Sequence, residues 1–145
     1  MVGWSIERRA ASQAPVERVW ELLADARSWS SWSRLTASAL AEEAPGPDPN
    51  GIGALRRFSV GPGASLERVV AWDPPRHLAY ELVSGLPITG YRADVTLAPR
   101  PGGGTSIEWR ARYRGRPPIV GAAIHAFLGW FLQDTADRLA RAAER

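Results

Sequence analysis

The sequence contains no cysteine and no lysine; all 18 of its basic residues are arginine. The missing thiol excludes a disulfide framework, thiolate zinc sites and a cysteine nucleophile. The missing amine removes Schiff-base formation, a P-loop lysine and serine–lysine nucleophilic catalysis. Histidine occurs only at His77 and His125, without a partner at metal-ligand spacing. There is no G-x-S-x-G nucleophile elbow. Gly51 and Gly53 are followed by Arg56 where a dinucleotide loop needs its third glycine, and Gly102-Gly103-Gly104 reads as a hairpin turn. The sequence therefore predicts no metal and no cofactor. The longest apolar stretch, Ile119 to Leu132, contains His125 and falls short of the roughly 20 residues a membrane span needs. The opening MVGWSIERRA lacks an apolar core of signal-peptide length. These absences predict a soluble, cytoplasmic protein with no stable membrane insertion.

What the chain does have is indole and guanidinium. Its 145 residues suit one domain, residues 1–145, long enough to bury a core without staples. Seven tryptophans against three phenylalanines and three tyrosines supply large apolar surfaces, each with one N–H that wants a partner. The net charge is +3, but the arginines are scattered from Arg8 to Arg145 with acids between most of them. Only Arg110, Arg112, Arg114 and Arg116 form a local run. Such mixing is a solvated surface, and no nucleic-acid partner is expected.

Along the chain, Trp4 to Ala11 reads as a first strand. Pro15 opens a helix whose Val16, Val19, Trp20 and Leu23 recur at i, i+3, i+4 and i+7. A second short helix carries Trp29 and Trp32. Glu42 to Gly53, dense in proline and glycine, reads as a mobile loop. Strand signals follow at Ile52–Val60, Ala64–Trp72, Leu78–Val83, Tyr91–Ala98 and Ser106–Tyr113, with separators short enough for an antiparallel meander. Pro117 to Glu144 reads as a helix of about 28 residues, ~42 Å long. One sheet with an apolar face needs a cover, which the last helix supplies. The predicted class is α+β.

The stretches APVERVWELLADARSWSSW, VVAWDPPRHLAYELVSG and GYRADVTLAPRPGGGTSIEWRARY resemble the polyketide cyclase/dehydrase branch of the START-like (SRPBCC) superfamily. The resemblance spans about residues 3 to 144. It implies a helix-grip fold: a curved antiparallel sheet of six to seven strands around the C-terminal helix, with two short helices after the first strand. It also implies a cavity that takes apolar molecules such as polyketides, lipids, quinones or steroids.

Strand parity nominates the cavity wall. Ile107, Trp109, Ala111 and Tyr113 share one face; Tyr91, Ala93, Val95 and Leu97 form a second row, and Leu78, Tyr80 and Leu82 a third. A three-residue loop Gly61-Pro62-Gly63 would pair Phe58 with Leu66, Arg57 with Glu67 and Arg56 with Arg68. Arg56 and Arg68 would then flank the cavity mouth beside Phe58 and meet an anion, while Arg57–Glu67 would form an outer-face ion pair. A one-residue slip reverses every one of these assignments. Trp29 and Trp32, and Phe127, Trp130 and Phe131 on the last helix, are the candidate cover, with Asp134 one turn further on. Each of these aromatic side chains also reads as packing between helix and sheet, and Asp134 as a residue at the exposed margin.

Three readings remain open. The resemblance suggests cyclisation or dehydration, with Arg56 or Arg68 stabilising charge and Tyr80, Tyr91 or Tyr113 donating a proton, although no tight acid–base constellation is legible. The rivals are a non-catalytic carrier or sensor of a small hydrophobic ligand and a protein-interaction module.

Overall fold

Alternating apolar and polar residues, interrupted by glycine- and proline-bearing turns, produce seven strands in the computed structural model, which describes residues 2–115 and 118–145, the side chains of Val2 and Pro118 excepted. The strands are β1 (Val2–Ser12), β2 (Ala37–Glu42), β3 (Leu55–Val60), β4 (Gly63–Asp73), β5 (His77–Ser84), β6 (Thr89–Pro99) and β7 (Thr105–Gly115). They form one antiparallel sheet in the order β1-β7-β6-β5-β4-β3-β2. The first two strands thus lie at opposite edges. Their connection carries α1 (Val16–Ala24), a 3-10 turn (Ala26–Ser28) and α2 (Trp29–Trp32). The final helix α3 (Pro118–Ala143) packs on β1 and β7, completing a helix-grip fold. The expected start of this helix at Pro117, and Arg116 of the arginine run, lie outside the described residues.

The apolar periodicity decides which faces meet. In α1 the stripe Val16, Val19, Trp20 and Leu23 is buried. At four residues α2 is too short to stand alone, and its indoles tie it down: Trp29 Nε1 donates to the Leu23 carbonyl at 3.0 Å and Trp32 Nε1 to Ser28 Oγ at 3.2 Å. Helix α3 is sewn to β1 along its length. Arg8 Nε donates to the Gly129 carbonyl at 3.1 Å, Gln133 Nε2 to the Arg9 carbonyl at 2.9 Å and Ser12 Oγ to the Ala140 carbonyl at 2.8 Å. The three inward rows read from the sequence face this helix layer, and Trp109, Ile107, Val95, Leu97 and Leu78 are almost fully buried. The opposite face carries exposed Arg110 and Arg112 with acids between them, as in Arg110–Glu108 at 2.9 Å and Arg92–Asp94 at 3.0 Å. Exposed pairs of this kind contribute at most about 1 kcal/mol each. Among the described residues no helix is long and apolar enough to cross a membrane.

Three expectations need correction. Strand β2 has no counterpart in the sequence reading, because Ala37–Glu42 lacks the β-branched and aromatic residues that mark strands; it forms as an edge by pairing with β3. The loop after it is anchored: Asn50 Oδ1 accepts from the Ala26 N–H at 3.0 Å, Gly53 N–H donates to the Val69 carbonyl at 2.9 Å, and Ala44 is buried against Ala54 and Val69. Most consequentially, the β3–β4 loop has two residues, Gly61-Pro62, and Val60 pairs with Gly63. Gly61 takes a φ of +55°, the positive value that a II′ hairpin demands at its first central position. Arg56 therefore pairs with Glu67, Arg57 with Leu66 and Leu55 with Arg68. The predicted pairs Phe58–Leu66, Arg57–Glu67 and Arg56–Arg68 do not form.

Gly85, after β5, has a φ of +118°, and a Cβ there would stand 2.6 Å from both the Ala64 carbonyl oxygen and the Ser65 Cα. Gly85→Ala should lower stability by about 2 kcal/mol or more, combining backbone strain with overlap against main chain. Gly61→Ala meets open space and should cost about 1 kcal/mol. Urea unfolding of the two variants checks the difference.

Candidate functional site

Between the inner face of the sheet and α3 lies a cavity of about 230 Å³. Of the residues anticipated as ligand contacts, Trp29, Phe58, Tyr80 and Tyr91 line it, together with Trp109, Phe127 and Phe131. Leu82, Leu128 and Leu132 complete much of the apolar wall. Val60 and Phe127 line the cavity and are each 54% exposed, so the opening lies between the β3–β4 hairpin and the first half of α3.

The polar end of this cavity follows from the hairpin register. With Arg56 opposite Glu67, both side chains turn inward, and Arg56 Nη2 donates to Glu67 Oε1 at 3.0 Å. Arg56 is only 1% exposed. Its guanidinium carbon lies 4.8 Å from the Trp29 ring, 4.9 Å from Phe58 and 4.7 Å from Tyr80, so three π faces and one carboxylate surround the charge. Desolvated cation–π contacts contribute about 2 kcal/mol. These rings take the place of hydrogen-bond partners for Nε and Nη1, which are buried without any. The guanidinium sits behind the rings and is not part of the cavity wall, whereas Glu67 is.

Burial pushes the Glu67 carboxyl above the usual carboxylate range, and Arg56 offsets only part of that shift. Trp109 Nε1 donates to the Tyr80 hydroxyl at 3.2 Å. Burial, followed by the Glu67 charge, raises the Tyr80 phenol far above its ordinary value; burial and then the neighbouring Tyr80 do the same to Tyr91. Both phenols are thus neutral and protonated near pH 7. The site combines a carboxylate, two phenolic hydroxyls and a neutralised guanidinium in an otherwise aromatic and aliphatic enclosure.

The remaining anticipated residues lie elsewhere. Arg68 is on the outer side of β4, donating to the Gly53 carbonyl at 2.9 Å with Glu42 at 3.4 Å, because the two-residue turn reverses its parity. Trp32 is buried beside Trp29 as packing, with ring centroids 5.0 Å apart. Tyr113 belongs to the inward row but lies beyond the cavity, its hydroxyl 3.0 Å from His125 Nδ1. Trp130 is on the exterior of α3, 52% exposed under the Arg34 guanidinium at 5.2 Å. Asp134 accepts from Arg34 and Arg138, each at 2.9 Å, closing an ion-pair bridge between α3 and the segment after α2. Glu67 was missed. The signal that would have found it was the preference for two-residue hairpin loops with glycine first, which Gly61-Pro62 satisfies. Among the described residues, no group of three or more His, Asp or Glu side chains is arranged to hold a metal.

The chain resembles several solved structures. A START superfamily protein from Mycobacterium smegmatis superposes with a TM-score of 0.80 at 14% identity, covering 97% of each chain. A solution structure from Thermobifida fusca gives 0.74 at 26% identity, over 94% of this chain and 93% of that one. Norcoclaurine synthase of Thalictrum flavum, a point mutant in complex with a transition state analogue, gives 0.76 at 15% identity over 98% and 94%. The family model described as polyketide cyclase/dehydrase and lipid transport matches residues 3–144. None of the curated proteins matches the sequence.

Removing Arg56 alone strands a buried carboxylate, so Arg56→Leu should cost about 3–5 kcal/mol, whereas Arg56→Leu with Glu67→Leu should recover to within about 2 kcal/mol of the parent. The part owed to Glu67 has a defined pH sense. Its folded-state pKa lies above the ordinary 4.5, so the penalty is absent below 4.5, where both states are protonated, and grows as pH rises through that value. Denaturant unfolding of the parent and the two variants between pH 4 and pH 8 measures both effects.

Proposed function

Because the chain belongs to the polyketide cyclase/dehydrase and lipid transport family, we propose that it encloses a small apolar molecule, held without a covalent bond, between sheet and α3. One observation carries this reading: an open, mainly apolar cavity of about 230 Å³ persists in an interior where Leu78, Val95, Ile107 and Leu139 are fully buried. Protein interiors rarely leave voids larger than a water molecule, and an apolar cavity is a ready site for an apolar guest. Its volume is below the roughly 300–1,000 Å³ of sites for drug-sized ligands, which favours a compact molecule over a long acyl chain or a four-ring system. The half-exposed Val60 and Phe127 give such a guest an apolar entrance.

Catalysis is the second reading, favoured by one specific feature. Glu67 combines a carboxyl pKa raised by burial with a place in the cavity wall, the combination that suits a carboxyl group to proton exchange with a bound substrate. A norcoclaurine synthase of this fold is in complex with a transition state analogue, which supports a reacting molecule as an occupant of such a fold.

Titration calorimetry with naphthalene tests enclosure. The parent should bind it, and Leu82→Trp, which fills the cavity, should weaken binding at least tenfold while circular dichroism stays unchanged. No binding by the parent, or equal binding by the filled variant, overturns the reading.

A further inference from the structure

We propose that the cavity selects a neutral ligand of one or two rings bearing a hydroxyl group, whose O–H is accepted by the Glu67 carboxylate. The assignment rests on the cavity being a ligand site. It reverses the expectation, natural from an arginine-rich sequence, that an inward arginine would receive an anion.

Four observations lead to it. First, the Arg56 charge is already spent on the Glu67 carboxylate at 3.0 Å and on three aromatic faces, and the guanidinium is not exposed to the cavity. Second, the charged group that does form part of the wall is Glu67. Only its Oε1 is engaged by Arg56; Oε2 accepts nothing from the described residues, and the side chain is 13% exposed. A carboxylate facing an apolar space repels a ligand carboxylate or phosphate and welcomes a donor. Third, Arg56 and Glu67 together carry no net charge. An ammonium guest would leave one positive charge uncompensated in an apolar enclosure, whereas an alcohol or phenol keeps the balance. Fourth, a hydroxyl needs a donor for its own oxygen as well. Tyr80 and Tyr91 place phenolic hydroxyls on the same wall. Trp109 already fills an acceptor position on Tyr80 at 3.2 Å, which leaves the Tyr80 proton to be donated. One donor and one acceptor on the guest thus meet one acceptor and one donor on the wall. The volume of about 230 Å³ sets the ring count.

Three probes sharing one ring system separate the possibilities by calorimetry at pH 7: 2-naphthol, naphthalene and 2-naphthoate. The proposal expects 2-naphthol to bind at least about tenfold tighter than naphthalene, the worth of a hydrogen bond to a charged acceptor, and 2-naphthoate to bind more weakly than naphthalene. In Glu67→Gln, which leaves Arg56 without its counter-ion, the naphthol advantage should shrink severalfold and naphthoate should gain. Should that variant not fold, the order of the three probes on the parent protein decides alone. Naphthoate binding tighter than naphthol, or naphthol no tighter than naphthalene, overturns the hydroxyl assignment and leaves the apolar cavity standing. An unchanged naphthol advantage in a folded Glu67→Gln removes Glu67 as the anchor. Failure of all three probes overturns the cavity reading together with this one.

Discussion

A guanidinium buried to 1% exposure is the constraint around which this molecule is arranged. Withdrawing such a charge from water costs several kcal/mol even after relaxation, so everything that compensates it must be in place at once. Glu67 has to stand opposite Arg56, which admits only one register of the β3–β4 hairpin. Trp29, Phe58 and Tyr80 have to present their faces, which ties α2, β3 and β5 to the same point. Trp29 in turn hangs from the last turn of α1 through the Leu23 carbonyl. A one-residue slip of β3 against β4 would expose the rings' charged partner and leave Glu67 buried alone. The pair therefore specifies the register more than it adds stability, which explains why β4, whose positions are exposed or half-buried apart from Val69, does not drift.

This dependence also explains which parts of the molecule could be read from the chain. The rows Ile107 to Tyr113 and Tyr91 to Leu97 were legible because long strands with clean alternation average over many residues. The α1 stripe was legible for the same reason at helical spacing. Strand-and-helix order, β2 apart, and the cover by α3 followed from such repeated signals, whereas the family came from the resemblance of three stretches of sequence. The site depended instead on a single turn. Whether Gly63 closes the loop or opens the strand changes Glu67 from an outer ion pair to the charged wall of the cavity, and sends Arg68 outside. Strand β2 escaped notice because Ala and Ser carry little strand preference and its partner β3 lies beyond a long loop; its formation is tertiary. Seven of the anticipated contacts nevertheless reached the cavity wall, because bulky inward aromatics are set by parity within their own strand or helix and do not depend on the hairpin.

The two faces of the sheet use charge in opposite ways. On the outer face arginine and carboxylate alternate in water, as in Arg9–Glu7 at 2.7 Å, and their number sets solubility more than stability. On the inner face one pair is withdrawn from water and leaves a carboxylate oxygen that accepts nothing from the described residues as a strong hydrogen-bonding group in the cavity. The walls beside it, Leu82, Leu128 and Leu132, discriminate by size alone, and an apolar pocket separates ligands differing by a methylene only about 10- to 200-fold. A buried acceptor is more exacting, since a guest that fails to satisfy it pays for desolvating the group and receives nothing in return. On the ligand proposed above, a cavity so built tolerates variation in ring shape and is strict about the polar group that the ring carries. The high arginine content thus reports on the outside of the sheet, while the charged side chain that lines the cavity is a glutamate.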